Sequence, residues 1–127
     1  MKKIKIKFYL KETGRNIIFS KTFDYSTIFS GTAKRFFNEQ HPDSYIIGKS
    51  LFIGLKDIDE TEIFDGDKIQ VAECYIGDHL QNPFIGEVRY SNGSYEVADS
   101  ENAACEELNR ESISNYSMKV IGNKYQS

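Results

Sequence analysis

The sequence of 127 residues has no tryptophan and only two cysteines and two histidines. Two cysteines do not form a disulfide framework in a chain of this length, and neither Cys74 nor Cys105 belongs to a Cys-x-x-Cys pair. We expect both to be reduced thiols that pack as small apolar side chains. His41 and His79 have no local relation to a cysteine, so the sequence predicts neither a structural zinc site nor a cysteine–histidine catalytic pair.

Long hydrophobic runs are also missing. No apolar run approaches the roughly 20 residues that span a bilayer, and the basic start leads into an alternating segment rather than a signal peptide. We therefore expect a cytoplasmic protein without membrane contact. Hydrophobic residues make up 39% of the chain, which is enough for an ordinary core. The length predicts one domain over residues 1–127.

The net charge of −3 conceals an asymmetry along the chain. Residues 1–40 hold 9 Lys+Arg and 3 Asp+Glu, a balance of +6, whereas residues 41–127 hold 7 and 16, a balance of −9. A basic segment suits nucleic acid and an acidic remainder repels it, so the composition does not indicate DNA or RNA binding. We expect the basic and the acidic residues to lie on different sides of one solvated protein surface.

The first forty residues predict a β-hairpin followed by a helix. Apolar residues alternate over residues 3–10, and a second strand is predicted at 16–23 after a turn. The period then changes to that of an amphipathic helix from about Thr27 to Glu39, with Ser26 as its N-cap. Gly31 falls inside this helix and weakens it by up to about 1 kcal/mol relative to alanine.

One face of the first strand is rich in lysine. Lys3, Lys5 and Lys7 would project together with Tyr9, an arrangement that suits contacts to phosphates and stacking on bases. Lysines also protect exposed edge strands from pairing with other chains, and we favour this second interpretation.

The rest of the chain has the pattern of short strands. Asn92-Gly93 between two alternating runs is the strongest hairpin signal and predicts a type I′ turn. The other predicted elements are strands, or one bulged strand, at 45–47 and 50–53, strands at 68–75, 84–90, 94–97 and 118–122, and a short helix within 100–112.

Two segments carry incomplete ligand motifs. Gly48-Lys49-Ser50 matches the end of a phosphate-binding loop, but Asp43 stands where that loop needs its first glycine. The acidic run from Asp57 to Asp67 fails the spacing of a calcium loop, so we expect solvated carboxylates there and leave open only a loose cation site. The sequence therefore predicts no catalytic residue, no cofactor and no metal ligand.

Several segments in the second half carry a specific pattern in order and spacing. They are Gly-Leu-Lys-Asp, Glu-Ile-Phe-Asp-Gly-Asp-Lys-Ile, a Gly-x-Val-x-Tyr strand and Val-Ile-Gly-Asn before a tyrosine. Over about residues 54–125 the chain resembles the YopX family of phage and prophage proteins, while the first half has no such match. The residues that carry the resemblance are Gly54, Leu55, Lys56, Asp57, Glu62, Ile63, Gly66, Asp67, Gly86, Val88, Tyr90, Val120, Ile121, Gly122, Asn123 and Tyr125.

The matching residues also have a structural explanation. Gly54 and Gly66 permit turns, and Asp67 is suited to hydrogen-bond a turn backbone. The family usually has Asn-Gly where this chain has Asp59-Glu60, so we expect a looser hairpin there. Ile63, Ile69, Val71, Val88 and Val120 are expected to point into a sheet core.

Together these patterns predict an α+β, mainly β fold. We expect a strongly bent antiparallel sheet or SH3-like barrel over residues 51–127. It carries the N-terminal β-hairpin and one or two short helices, with residues 1–50 forming the hairpin and the first helix.

The resemblance implies a phage, prophage or mobile-element origin and brings no catalytic residues with it. We expect a non-enzymatic accessory protein that binds itself or a host or phage protein. One alternative is a nucleic-acid-associated module that uses the basic N-terminal strand or Tyr90 and Tyr95. A third is an acidic decoy of a host nucleic-acid-binding protein that uses Asp57 to Asp67. An enzymatic site assembled from distant residues would leave no local motif.

Overall fold

The computed structural model of the protein describes residues 4–15, 17–24, 26, 31–72, 74–76, 79–81, 83–99 and 105–126. The chain divides into two compact units, Met1–Phe52 and Ile53–Ser127, which we call unit 1 and unit 2. The charge divides at the same place. Unit 1 holds 10 Lys+Arg against 4 Asp+Glu, a net +6, and unit 2 holds 6 against 15, a net −9.

The elements of unit 1 with described bounds are three antiparallel strands and a helix. They are β1 (Lys5–Glu12), β2 (Ile18–Asp24), α1 (Thr32–Gln40) and the first part of β3 (Ser44–Lys56). The predicted N-terminal hairpin is confirmed, and Gly14 supplies the positive φ of its turn, 78°. The two segments predicted at 45–47 and 50–53 form one strand with a bulge opposite the Tyr9–Leu10 step.

Strand β1 lies at the centre of unit 1, because it hydrogen-bonds to β2 on one side and to β3 on the other. The prediction that its lysines protect an exposed edge is therefore wrong. The one-faced alternation also fails, since Tyr9 on the lysine side is only 2% exposed and Ile4 on the apolar side is 51% exposed. Period-two patterning cannot distinguish a central strand from an edge strand when both faces are partly covered.

Aromatic rings hold α1 against the strands of unit 1. Phe37 lies edge-on to Phe8 and Phe23, with ring centroids 5.5 and 5.4 Å apart. Phe36 also meets Phe23 edge-on, at 5.6 Å. Such pairs contribute about 0.5–1.5 kcal/mol beyond the burial of their surface. The four phenylalanines therefore form the packing contact between helix and strands.

The prediction of one continuous helix over 27–39 is wrong at Gly31. Gly31 has φ of 83°, a left-handed conformation that an α-helix does not contain, and it is the N-cap of a helix that begins at Thr32. Residues 27–30 lie outside the described residues. Ser26 is not the cap of this helix, and its hydroxyl donates to Asp24 Oδ1 at 2.9 Å.

Unit 2 is mainly β. It contains the end of β3, β4 (Glu62–Phe64), β5 (Asp67–Val71), β6 (Cys74–Ile76), β7 (His79–Gln81), β8 (Phe84–Ser91), β9 (Ser94–Ala98), β10 (Cys105–Glu107), α2 (Arg110–Asn115), β11 (Lys119–Asn123) and a 3₁₀ turn (Lys124–Gln126). Five of these strands form an antiparallel sheet in the order β10-β9-β8-β5-β11, while β3 pairs with β4 and β6 with β7. Among the described strands the five-stranded sheet is open, so the SH3-like barrel stays a prediction.

The core of unit 2 lies on one face of this sheet. Its buried members are Ile53, Ile63, Ile69, Val71, Val88, Val97, Leu108, Ile113 and Met118. Val120 is half-buried against them. The five apolar residues predicted for the sheet core therefore all contribute to it.

The β8–β9 hairpin has the predicted type I′ turn. Asn92 and Gly93 have φ values of 51° and 88°, so both central residues are left-handed as this turn requires. The strands pair from Glu87↔Ala98 to Ser91↔Ser94.

Two other predictions in unit 2 are wrong in their bounds. The strand predicted over 68–75 ends at Val71, because the next residue donates its N–H to the carbonyl of Tyr116 and the chain then enters β6 in another ladder. The helix predicted within 100–112 is replaced by β10 and by α2, which begins only at Arg110. Asn109 caps α2 by accepting from Ser112 N–H at 2.8 Å. Residues 100–104 fall in a part that the structure does not describe.

Within the described ranges, no helix is long and apolar enough to cross a membrane.

Candidate functional site

The residues that carry the family pattern all lie in unit 2, and two of them are buried aspartates. Asp57 follows β3 directly and is 4% exposed. Its Oδ1 accepts from the backbone N–H groups of Asp59 at 2.8 Å and Thr61 at 2.9 Å, which fixes the β3–β4 turn. Its Oδ2 accepts from Val120 N–H in β11 at 2.9 Å. One carboxylate therefore joins a local turn to a strand 63 residues further along the chain.

Asp67 makes the second long-range connection. It is 2% exposed, and its Oδ2 accepts from Phe64 N–H at 2.8 Å across the β4–β5 turn. Its Oδ1 accepts from the side-chain amide of Asn123 in β11, also at 2.8 Å. Asn123 in turn accepts from Tyr125 N–H at 3.1 Å and so holds the start of the 3₁₀ turn. We call Asp57, Asp67 and Asn123, with their backbone partners, the carboxylate clamp.

The expectation that the acidic run 57–67 is solvated is wrong for these two aspartates. A buried carboxylate needs several hydrogen bonds to offset its desolvation, and both receive them. Asp59 and Glu60 are exposed, and Asp59 lies 3.4 Å from Lys119 Nζ. No group of three or more His, Cys, Asp or Glu suited to a metal ion occurs among the residues that the structure describes.

The other pattern residues position this clamp. Gly66 has φ of 80°, donates its N–H to Val88 carbonyl at 2.8 Å and accepts from Lys124 N–H at 3.0 Å. Gly54 has φ of 88° inside β3, so it bends a strand rather than making the turn that was predicted. The remaining pattern residues lie on β3 (Leu55, Lys56), β4 (Glu62, Ile63), β8 (Gly86, Val88, Tyr90), β11 (Val120, Ile121, Gly122) and the 3₁₀ turn (Tyr125).

A groove of about 460 Å³ lies on the sheet of unit 2. Gly86 and Val88 are buried, so the alternation of β8 places Ile85, Glu87 and Arg89 on the face opposite the core. We call this groove the outer groove; its described lining residues are Lys68, Ile85, Gly86, Glu87, Arg89, Ala98 and Asp99.

The outer groove combines one exposed apolar side chain with charges of both signs. Ile85 is 55% exposed. Lys68 lies directly across from Glu87, and Arg89 Nε donates to Glu96 Oε1 at 2.7 Å. None of the described lining residues is a histidine, cysteine, serine or tyrosine. The arrangement suits complementary contacts with another surface and offers no nucleophile among these residues.

Titratable groups with shifted pKa values lie near the β8–β9–β10 edge. Burial raises the pKa of Glu106, and the neighbouring Glu107 carboxylate raises it further. Burial also raises the pKa of Tyr95, with smaller contributions from Asp65 and from Tyr90. The Tyr95 ring packs edge-on against Tyr90 at 5.1 Å, so the two tyrosines predicted as nucleic-acid contacts are paired with each other.

The lysines predicted to contact nucleic acid lie in unit 1. Lys3 is outside the described residues. Lys5 and Lys7 are half-buried on the central strand, and Lys5 Nζ lies 5.4 Å from the centroid of the Phe52 ring. Tyr9, expected to stack on bases, is buried and therefore not accessible to them.

The incomplete motifs of the sequence form no site. Gly48, Lys49 and Ser50 lie within β3, where Ser50 is 1% exposed, so no phosphate-binding loop exists there. His41, expected on the surface, is half-buried, with its ring 4.7 Å from that of Phe19. The side chains of His79, Cys74 and Cys105 are outside what the structure describes.

A comparison with protein-family models matches residues 6–127 to the YopX protein family. The chain belongs to the YopX family. The match covers nearly the whole chain, so the expectation that a YopX resemblance begins near residue 54 is wrong for its start. Unit 1 is part of the YopX pattern, and its basic composition does not mark it as foreign to the family. A search of curated proteins finds no match.

Sequence reasoning missed the partners in the carboxylate clamp of this YopX protein. The pattern pointed to Asp57, Asp67 and Asn123 separately, and local rules predicted only a turn contact for Asp67.

Proposed function

We propose that this YopX protein is a non-enzymatic accessory protein of a phage or other mobile element, and that it binds a protein partner through the outer groove. The observation that carries the proposal is the lining of that groove. An exposed isoleucine surrounded by charged side chains, Arg89 among them, resembles the apolar centre and polar rim of a protein interface.

The distribution of functional groups supports binding rather than catalysis. Arg89 is engaged by Glu96, and Asp57 and Asp67 are committed to backbone and amide donors. A general acid or base must instead reach the substrate proton that it transfers. The carboxylates that the sequence singled out therefore hold the fold, and we infer no reaction for them.

The alternatives have less support. A nucleic-acid strip formed by Lys3, Lys5 and Lys7 with Tyr9 would need Tyr9 to be accessible, whereas Tyr9 is 2% exposed. An acidic decoy would present the run 57–67 as a charged surface, yet two of its carboxylates are buried. The protein partner in this proposal is either another protein or a second copy of this chain. We propose that the interaction occurs in the cytoplasm.

The test is affinity capture from host and phage-infected lysates with three baits: the parent chain, Ile85→Asp and Ile58→Asp. Ile58 is the matched control, because it is 45% exposed in unit 2 but lies in the β3–β4 turn. We expect a partner retained by the parent and by Ile58→Asp and lost by Ile85→Asp. Purified partner should then bind in titration calorimetry with the same order of affinities.

Light scattering of the parent chain tests a second copy as partner. If Ile85→Asp changes neither the captured proteins nor the oligomeric state, the outer groove is not the binding site and the proposal fails. All three chains should give the same thermal transition, which shows that any loss is not caused by unfolding.

A further inference from the structure

The turn end of the β1–β2 hairpin in unit 1 contains a depression of about 300 Å³. Its lining combines two cations, one carboxylate and an aromatic ring. Tyr45 lies directly across from Lys11 in the β1–β3 pairing and is 50% exposed. We call this feature the hairpin depression; its described lining residues are Lys11, Glu12, Gly14, Arg15 and Tyr45.

Backbone hydrogen bonds hold the rim of the hairpin depression. Glu12 N–H donates to Ile17 carbonyl at 3.1 Å, and Arg15 N–H donates to Glu12 carbonyl at 3.2 Å. Thr13 N–H donates to Asp43 carbonyl at 2.7 Å, which ties the turn to the segment before β3. The backbone of the turn that carries Arg15 is therefore already ordered, and less backbone entropy is lost when a ligand binds.

The two cations of the depression form no ion pair within the described part of the chain. Neither Lys11 nor Arg15 forms an ion pair with any carboxylate among the described residues. They also lie in the unit with a net charge of +6. An anion that approaches the hairpin depression therefore meets two cations and one carboxylate, a net positive charge.

We infer that the hairpin depression binds a segment of single-stranded nucleic acid. Lys11 and Arg15 contact backbone phosphates, and one base stacks on the exposed ring of Tyr45. Cations beside an aromatic platform are the combination by which proteins bind single strands with little sequence preference. Glu12 adds a hydrogen-bond acceptor of the kind that pairs with the amino group of a base. The inference is independent of the outer groove, which lies in the other unit.

The experiment is fluorescence anisotropy with a labelled twelve-nucleotide oligo-dC, measured on the full chain at several salt concentrations. We expect the double variant Lys11→Gln/Arg15→Gln to bind at least about tenfold more weakly at low salt. Each phosphate contact contributes about 0.7 to the slope of log affinity against log salt for single strands, so this slope should fall in magnitude by about 1.4.

The matched control is Lys34→Gln/Arg35→Gln, which removes the same two charges from exposed positions of α1 in the same unit. It should weaken binding by less than about threefold. Tyr45→Ala should weaken binding by about tenfold through loss of stacking, and Tyr45→Phe should retain it. The inference is overturned if the parent does not bind oligo-dC at low salt. It is equally overturned if the two charge variants lose affinity to the same extent, because binding would then be a general attraction to unit 1.

Discussion

The side-chain amide of Asn123 donates to the buried carboxylate of Asp67 at 2.8 Å, across 56 residues of sequence. The same carboxylate accepts from the β4–β5 turn, and the same asparagine accepts from the backbone of Tyr125. The pair thus connects the start of β5 with the end of β11.

Exchanging the two residues tests this connection. Asp67→Asn should place two amide groups face to face, and Asn123→Asp two carboxylates, so each should lower the free energy of unfolding by about 2 kcal/mol or more. The double variant retains a donor opposite an acceptor and keeps oxygens for the two backbone N–H groups. It should recover most of the loss in urea denaturation. Additive losses in the double variant would show that the two side chains do not interact.

The β3–β4 turn predicts a stabilising substitution at Glu60. Glu60 has φ of 66°, a conformation that glycine adopts without strain and most residues do not. Glu60→Gly should raise the free energy of unfolding by about 1 kcal/mol, because the exposed pair between Lys56 and Glu60 at 3.9 Å contributes little. Glu60→Ala is the control and should give no such gain. A thermal transition for Glu60→Gly at or below that of Glu60→Ala would contradict the prediction.

Two glycines of the family pattern should respond differently to alanine. A Cβ on Gly86 would lie 2.7 Å from Val97 Cγ1 and 2.9 Å from the Ala98 backbone, so β9 must move. Gly86→Ala should therefore lower the free energy of unfolding by about 1–3 kcal/mol. At Gly122 the nearest atom is the end of the Gln126 side chain at 3.9 Å. Gly122→Ala should change stability by less than about 0.5 kcal/mol. Equal effects of the two substitutions in chemical denaturation would contradict this account.

The raised pKa of Glu106 predicts that replacing this residue increases the stability of the folded chain in a pH-dependent way. Burial favours the protonated carboxyl, so the folded chain loses stability as the pH rises through the folded pKa. Glu106→Gln removes this loss. Its melting temperature should exceed that of the parent at neutral pH, and the difference should disappear below the unfolded pKa of about 4.3. Glu107→Gln should give a smaller gain, since the neighbouring charge is the lesser cause. A difference that is constant from acidic to neutral pH would exclude this origin.

The sequence predicted correctly those parts of the fold that are determined by residues close together in the chain. Asn92 and Gly93 both adopt the left-handed backbone conformation, and this residue pair was sufficient to predict the turn of the β8–β9 hairpin. The position of β1 between β2 and β3 depends on pairing with distant residues, which alternation does not encode. The helix start at Thr32 depended on the conformation of Gly31, which helix periodicity does not reveal.

The candidate sites divide in the same way. The turn contact of Asp67 follows from its place beside Gly66, whereas its partner Asn123 could not be found from spacing because no periodic rule relates the two. The outer groove brings together β5, β8 and β9, and the hairpin depression brings Tyr45 beside Lys11. Both sites depend on strand register, so the sequence alone could not predict them.

The carboxylate clamp also determines when unit 2 is complete during synthesis. Until β11 has left the ribosome, β5 has an unpaired edge, and Asp57 and Asp67 lack the donors that β11 supplies. Contacts over such long separations are slow to form because the intervening loop must close first. A nascent chain from which β11 is still missing therefore has a strand edge that is open to other chains, and its yield should depend on how quickly β11 is added.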